Sequence, residues 1–356
     1  MTRVSLCAGL AMLVAIACVD ETGLSSYRLA VAGGRTQVSD ICIVNGKGKV
    51  VQQVTTTSDR AEMWPLWAAD GRRVFYESRE TADRTISLRV FDLDREQEEI
   101  VYGPVRPGEL WCALSPDGTK LAYITKDSVP GLMVLKDLRS GAVTPLARQG
   151  ERLVRPEWAP DSKRILCQSG LTGVAAWDLV VVDTDTGERR VLGGASDTTE
   201  FKGRWSPDGR FVVYSITGEQ NRGNVGMVVQ NLETGGRTIV SQGEEERVVS
   251  GAWSSLGVLA ALRERPMPMS ILLWPDASQP RDRREVPLDD GLRRGRLVWS
   301  PDGRYLALNA RGVPRRGKGD WKMIVFDSEG NEICKWRTRT QMYCPAWAPL
   351  PAANVS

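Results

Sequence analysis

Seven positions, spaced 44 to 48 residues apart, include the side chains best suited to recognition: Trp64, Trp111, Arg155, Lys202, Ser250, Arg296 and Cys344. Indoles present an apolar face and one N–H, and guanidinium or ammonium groups bind carboxylates and other oxyanions through charge-assisted hydrogen bonds. Two indoles and three cations at equivalent points of a repeating chain therefore suit an acidic or carbohydrate-like ligand. The same residues would also serve as a solvated rim with extra packing between repeats. A second group is basic. The run from Ala310 to Asp320 contains Arg311, Arg315, Arg316 and Lys318, and the segment before it contains Arg293, Arg294 and Arg296. An acidic run, Glu244, Glu245 and Glu246, precedes it by one repeat. A face with both signs of charge would steer and orient a protein partner, though an ordinary solvated surface has the same composition.

Other chemistry is excluded by residue type. The 356 residues contain no histidine, which removes Ser-His-Asp and Cys-His nucleophile systems and every imidazole metal site. Asp183-Thr-Asp-Thr-Gly187 has the alternating carboxylates of a calcium loop but lacks the downstream bidentate glutamate, so it reads as a turn. No metal, cofactor or catalytic residue is assigned. A net charge of +3 on a chain of this size argues against a nucleic-acid binder. Cys42, Cys112, Cys167, Cys334 and Cys344 show no disulfide or metal-knuckle spacing and read as small residues buried in strands.

The first residues form an address. Arg3 precedes an almost wholly apolar run from Val4 to Ala17, the outline of a secretory signal peptide and too short to span a bilayer. The run ends in Ala15-Ile16-Ala17-Cys18. A small residue before cysteine resembles a bacterial lipobox, which would make Cys18 a lipidation site. Ala-Ile-Ala equally suits an ordinary signal peptidase. Either route gives an exported protein, periplasmic or at the cell surface, touching the membrane only through a lipid on Cys18. The expected division is 1–17 signal peptide, 18–26 tether, 27–349 folded domain and 350–356 tail.

The elements that must position the candidate residues are set by an internal repeat. A bulky residue and a Ser-Pro-Asp-Gly-like turn recur as Trp67-Ala-Ala-Asp-Gly71, Leu114-Ser-Pro-Asp-Gly118, Trp158-Ala-Pro-Asp-Ser162 and Trp205-Ser-Pro-Asp-Gly209. They continue as Trp253-Ser-Ser-Leu-Gly257, Trp299-Ser-Pro-Asp-Gly303 and Trp347-Ala-Pro-Leu350. Proline pre-sets a type I turn, Ser and Asp bond locally, and Gly takes the positive φ that returns the chain antiparallel. Short β-branched runs follow each turn, such as Arg210-Phe-Val-Val-Tyr-Ser215 and Met227-Val-Val229, with no helical period. Four strands per repeat make a propeller blade. The chain opens with three strands (near Tyr27–Val31, Ile41–Val44 and Val50–Val54) and closes with a lone innermost one, Tyr343–Trp347. The expected fold is therefore all-β, a seven-bladed β-propeller closed by pairing the C-terminal strand with the N-terminal three-strand fragment. The anchor tryptophans are expected to pack blade on blade, and the turn aspartates (Asp70, Asp117, Asp161, Asp208, Asp302) to serve turn geometry.

The Trp-Ser-Pro-Asp-Gly-(Arg/Lys) signature resembles the WD40-like repeat of TolB-type β-propellers, also found in prolyl-oligopeptidase-like peptidases. The resemblance covers about residues 27–349 and implies fold more firmly than function. TolB adds an N-terminal α/β domain to a six-bladed propeller, so its role in the Tol–Pal system does not transfer directly. The peptidase comparison lacks its hydrolase elbow, Gly-x-Ser-x-Gly, and its histidine here. The expectation is an exported, non-catalytic binding or scaffold module, monomeric, recognising a protein or an acidic or carbohydrate ligand at the axial mouth. Its contacts would be Trp64, Trp111, Arg155, Lys202, Arg296, Arg315, Arg316 and Lys318. The alternative is a polysaccharide-degrading enzyme working without histidine.

Overall fold

A computed structural model describes residues 14–15, 23–35, 38–106, 110–125, 131–148, 150–171, 177–192, 199–217, 226–242, 246–312, 321–338 and 341–350. Cys18 and the loop bearing Arg315, Arg316 and Lys318 lie outside them. Apart from one 3-10 turn at Leu24–Ser26, the described elements are all strands. They group, in chain order, into seven antiparallel four-stranded sets, with a two-residue strand at Val14–Ala15 added to the edge of the last. The sets begin with innermost strands Gln341–Trp347, Arg60–Trp67, Cys112–Leu114, Glu151–Trp158, Thr199–Trp205, Arg247–Trp253 and Leu292–Trp299. Gln341–Trp347 is hydrogen-bonded to Arg28–Arg35, with Leu29 opposite Trp347, the pairing expected between the two ends of the chain. One parallel bridge, Ser39 to Ala61, joins the first set to the second.

The turns hold their shape by the expected local chemistry. In the third set Ser115 Oγ donates to the Asp117 carboxylate (2.6 Å) and accepts from Lys120 N–H (2.9 Å), while Thr119 N–H donates to the same carboxylate. Burial alone would raise the Asp117 pKa, but these hydrogen bonds outweigh it and hold the carboxyl below its usual range. Gly118 takes a φ of 71°. Where the fourth set replaces that glycine, Ser162 adopts the same left-handed backbone and its hydroxyl accepts the N–H of Asp117 in the neighbouring turn (3.0 Å).

The core lies between sheets. Each hydrophobic cluster joins one set to its neighbour: Leu166 and Leu179 meet Trp205, Val212 and Tyr214, for example. Leu29, Val31 and Val44 of the first set meet Tyr305, Ala307 and Val325 of the last. The anchor indoles staple these seams. Trp67, Trp158, Trp205, Trp299 and Trp347 each donate Nε1–H, at 3.0 to 3.2 Å, to the backbone carbonyl just before the anchor of the preceding set. They are packing residues, as their spacing implied. Cys42, Cys112, Cys167 and Cys334 are not in disulfides and are at least partly buried, and burial pushes the pKa of Cys42 and Cys112 up to about 12.

Candidate functional site

Of the candidate recognition residues, Trp111 alone stands just before its innermost strand, Cys112–Leu114. Trp64, Arg155, Lys202 and Arg296 lie mid-strand. The cause is a β-bulge. Between Met63 and Leu66 the ladder slips, so Trp64 and Pro65 together face Tyr76 on the next strand. The same slip falls between Val154 and Glu157, Phe201 and Arg204, and Val249 and Ala252. A bulge breaks pairing and re-aims one side chain. Here the re-aimed residues adopt left-handed backbone, with φ 57° at Trp64, 55° at Arg155 and 56° at Lys202, and Trp111, which precedes its strand without a bulge, has φ 28°. Non-glycine residues reach that region only when their surroundings impose it. The residue after the bulge is Pro65, Pro156, Gly203 or Gly251, and the first three of these are buried. At Gly203 a Cβ would stand 2.3 Å from Leu166. Pro and Gly inside strands were therefore the sequence signal for the bulge. The last set departs from the pattern: its slip lies at Arg294, and Arg296 pairs regularly with Asn309.

These residues meet. The Arg155 guanidinium carbon lies 4.0 Å from the Trp111 ring centroid, and that of Arg296 lies 5.6 Å from Trp64. Each predicted indole is thus partly covered by a predicted cation from another set. Trp64, Arg155, Lys202 and Arg296 are all exposed to solvent. Lys202 has its ammonium pKa lowered, first by loss of hydration and then by the charges of Arg155, Arg296 and Arg247, against the opposing pull of Glu264. Arg247 and Glu264 form an ion pair at 3.3 Å. Sequence reading missed both, along with Glu157, which pairs with Arg204 at 2.9 Å. Burial raises the Glu157 pKa, opposed by Arg204 and Arg296. Four of these residues therefore form two indole–guanidinium pairs, and the charges of both guanidinium groups act on Lys202.

The second predicted group is only partly visible. Arg293 is exposed and donates to the carbonyls of Asp290 and Leu292, and Arg311 is exposed. Glu246 is paired with Arg283 at 2.6 Å. Asp183 accepts from the backbone of Asp185 and Thr186 and from the Thr186 hydroxyl, the hydrogen bonds of a turn. No group of three or more candidate metal ligands occurs among the described residues. A separate cleft of about 360 Å³ opens on the turn face between the fourth and fifth sets, lined by Arg164, Arg190, Asp208 and Glu233 among others.

No family model matches the chain. Among solved structures it is similar to TolB from Acinetobacter baumannii, at 16% identity and a TM-score of 0.53, over 90% of this chain and 82% of that one. It is also similar to an oligogalacturonate lyase from Vibrio parahaemolyticus, at 15% identity and a TM-score of 0.60, over 93% and 90% of the two chains. A prolyl endopeptidase matches at 17% identity and a TM-score of 0.61, over 78% of this chain but 42% of its own length. At these identities the likeness concerns architecture, and that architecture is a β-propeller.

Proposed function

We propose that the chain is an exported, non-catalytic binding propeller of the cell envelope whose axial mouth holds an anionic group of a protein or carbohydrate ligand. The observation that carries this reading is the cluster of Arg155, Lys202 and Arg296 on re-aimed, left-handed or mid-strand positions, backed by Trp111 and Trp64. Each indole already stacks on a guanidinium. A guanidinium held over an indole can present its planar N–H edge to a carboxylate or similar oxyanion. Envelope location is supported by the apolar leader before Cys18 and by the likeness to TolB. If Cys18 is acylated, the residues up to Tyr27 reach about 30 Å at most. The contact of Tyr27 with Asp302 and Trp347 then turns the Ser-Pro-Asp-Gly face toward the membrane and leaves the mouth outward. Arg315, Arg316 and Lys318, which lie outside the described residues, would add contacts for a protein partner.

Calorimetric titration with an oligogalacturonate and with a glutamate-rich peptide tests the reading. Binding that weakens with salt and disappears in Arg155→Glu/Lys202→Glu, with the folding transition unchanged, is the expected result. Affinity that survives the double reversal overturns it. The likeness to oligogalacturonate lyase favours one other reading, depolymerisation of an acidic polysaccharide. Such an enzyme would rely on Arg, Lys, Tyr and carboxylates, and shortening of the oligogalacturonate during the titration would establish it.

A further inference from the structure

We infer that the turn face of the propeller rests on a phospholipid bilayer and seats itself there through Leu256 and Leu350. The inference takes its membrane from the envelope reading above. A turn joins the innermost strand of each set to the next strand. In five of the seven sets it carries an aspartate that accepts the backbone N–H two residues on: Asp70, Asp117, Asp161, Asp208 and Asp302. The sixth and first sets carry Leu256 and Leu350 at the same point of the repeat. A leucine side chain offers the turn no hydrogen bond, so turn geometry does not account for it. Both side chains are open to water, at 67% and 47% exposure. The other exposed large apolar side chains among the described residues lie on outer strands, as Val191 and Ile239 do, or on the mouth side.

The two leucines flank the place where the chain enters the fold. A Cβ built on Gly303 would stand 3.0 Å from Leu256 Cγ, so Leu256 lies against the turn of the seventh set. Asp302 of that turn accepts a hydrogen bond from the Tyr27 hydroxyl. Leu350 closely follows Trp347, whose ring meets Tyr27 at 5.9 Å, and Ala348, whose N–H donates to the Arg28 carbonyl at 2.8 Å. Five residues lead from Cys18 to Gly23, a reach of about 17 Å at most, so a lipid on Cys18 enters the bilayer close to both side chains. Arg28, Lys49 and Arg304 are exposed on the first and seventh sets, with Glu329 as an opposing charge. Cations beside exposed leucines suit an interface with anionic headgroups, the leucines entering the acyl boundary. A lipid on a short tether holds the protein near the membrane but leaves its tilt open. Leucines on either side of the tether fix that tilt and aim the axial mouth outward.

Flotation with vesicles of phosphatidylethanolamine and phosphatidylglycerol tests this on the processed chain, residues 18–356, carrying Cys18→Ser so that no lipid contributes. Weak, reversible binding is expected. Leu256→Asn/Leu350→Asn gives both turns the shape of the other five without adding charge. It should lower the partition coefficient about tenfold or more, the worth of withdrawing two leucine side chains from an apolar phase. Its unfolding transition should not fall. Val191→Asn/Ile239→Asn removes as many exposed apolar side chains from outer strands and should bind as the parent does. A parent chain that does not float, or a leucine variant that floats equally well, overturns the inference. So does a dimer that the same substitutions dissolve in the absence of any vesicle binding, since the leucines would then meet a second copy. Mass spectrometry of the N-terminal peptide from native membranes decides the tether separately. Leucine-dependent flotation with no acyl group on Cys18 refutes the anchor and leaves the bilayer contact standing.

Discussion

Glu62 shows how one buried side chain sets a pH response. It stands on Arg60–Trp67 with no exposed surface, yet it is a carboxyl group. Thr57 Oγ1 donates to it at 3.0 and 3.1 Å, Thr55 Oγ1 at 3.3 Å, and Arg60 Nε lies 3.6 Å away. Burial raises its pKa to about 7; the Thr57 hydroxyl and Arg60 oppose this, and the nearby charge of Asp40 adds to it. Asp40 is itself raised, again chiefly by burial. A carboxyl whose folded pKa exceeds its unfolded value binds more protons in the native state, so its contribution to stability falls as pH rises through that interval. The interval here runs from the ordinary glutamate value, about 4.3, up to about 7. At roughly 1.4 kcal/mol per unit at most, the loss is on the order of a few kcal/mol. Glu62→Gln keeps the hydrogen-bonding shape and removes the titration. Denaturant midpoints at pH 5 and pH 8 should therefore converge in the variant relative to the parent chain. An unchanged difference between the two pH values would show that Glu62 is not the titrating group.

Among elements, the bulged innermost strand matters most, and it was the least legible. The turns were readable because Ser, Pro, Asp and Gly act over four residues, and Ser206 bonding Asp208 and Phe211 N–H shows the same short-range chemistry. The bulge was not, because left-handed backbone at Arg155 depends on the packing of Pro156 and on the opposing strand around Cys167. The equivalent spacing of Trp64, Arg155, Lys202 and Arg296 was legible in the repeat, but their location mid-strand and the Arg–Trp pairing between sets came only from the fold. Left-handed backbone costs a non-glycine residue about 1–2 kcal/mol, whereas glycine adopts it freely. Arg155→Gly is accordingly expected to be about 1 kcal/mol more stable than Arg155→Ala in equilibrium unfolding, although both lose the guanidinium. At an unstrained strand position the order would reverse, so Ala above Gly would show that the bulge is not imposed. The anchor tryptophans offer a matching contrast. Trp205 donates its indole N–H to the Glu157 carbonyl at 3.1 Å, while the equivalent Trp253 N–H is buried without a partner. Phenylalanine at 205 should cost about 1 kcal/mol more than at 253, the worth of that hydrogen bond.

At the scale of the whole molecule, the pairing of Gln341–Trp347 with Arg28–Arg35 carries the architecture, because it brings the two ends of the chain into one sheet. A repeat array whose units touch only their neighbours unfolds from its ends unless those ends are joined. Trp347 works in three directions at this point. Its ring meets Tyr27 edge-on at a centroid distance of 5.9 Å, it belongs to the same cluster as Tyr305 and Trp336, and its indole donates to Val298 O at 3.2 Å. The carbonyl of Ala346 in turn receives the indole of Trp67, so this one strand is tied to the last set and to the second. Trp347→Ala removes a large buried ring and should cost about 3–5 kcal/mol. The sharper experiment removes the strand. A chain ending at residue 340 should lose its single cooperative transition and unfold progressively from the exposed edges of the first and last sets. Adding a peptide of residues 341–350 should restore the transition in a concentration-dependent way, since a strand that binds only the folded state stabilises it by mass action. Cooperative unfolding that persists without residues 341–350 would mean that the sets hold together through their apolar seams alone, and that joining the ends adds nothing to the stability of the propeller.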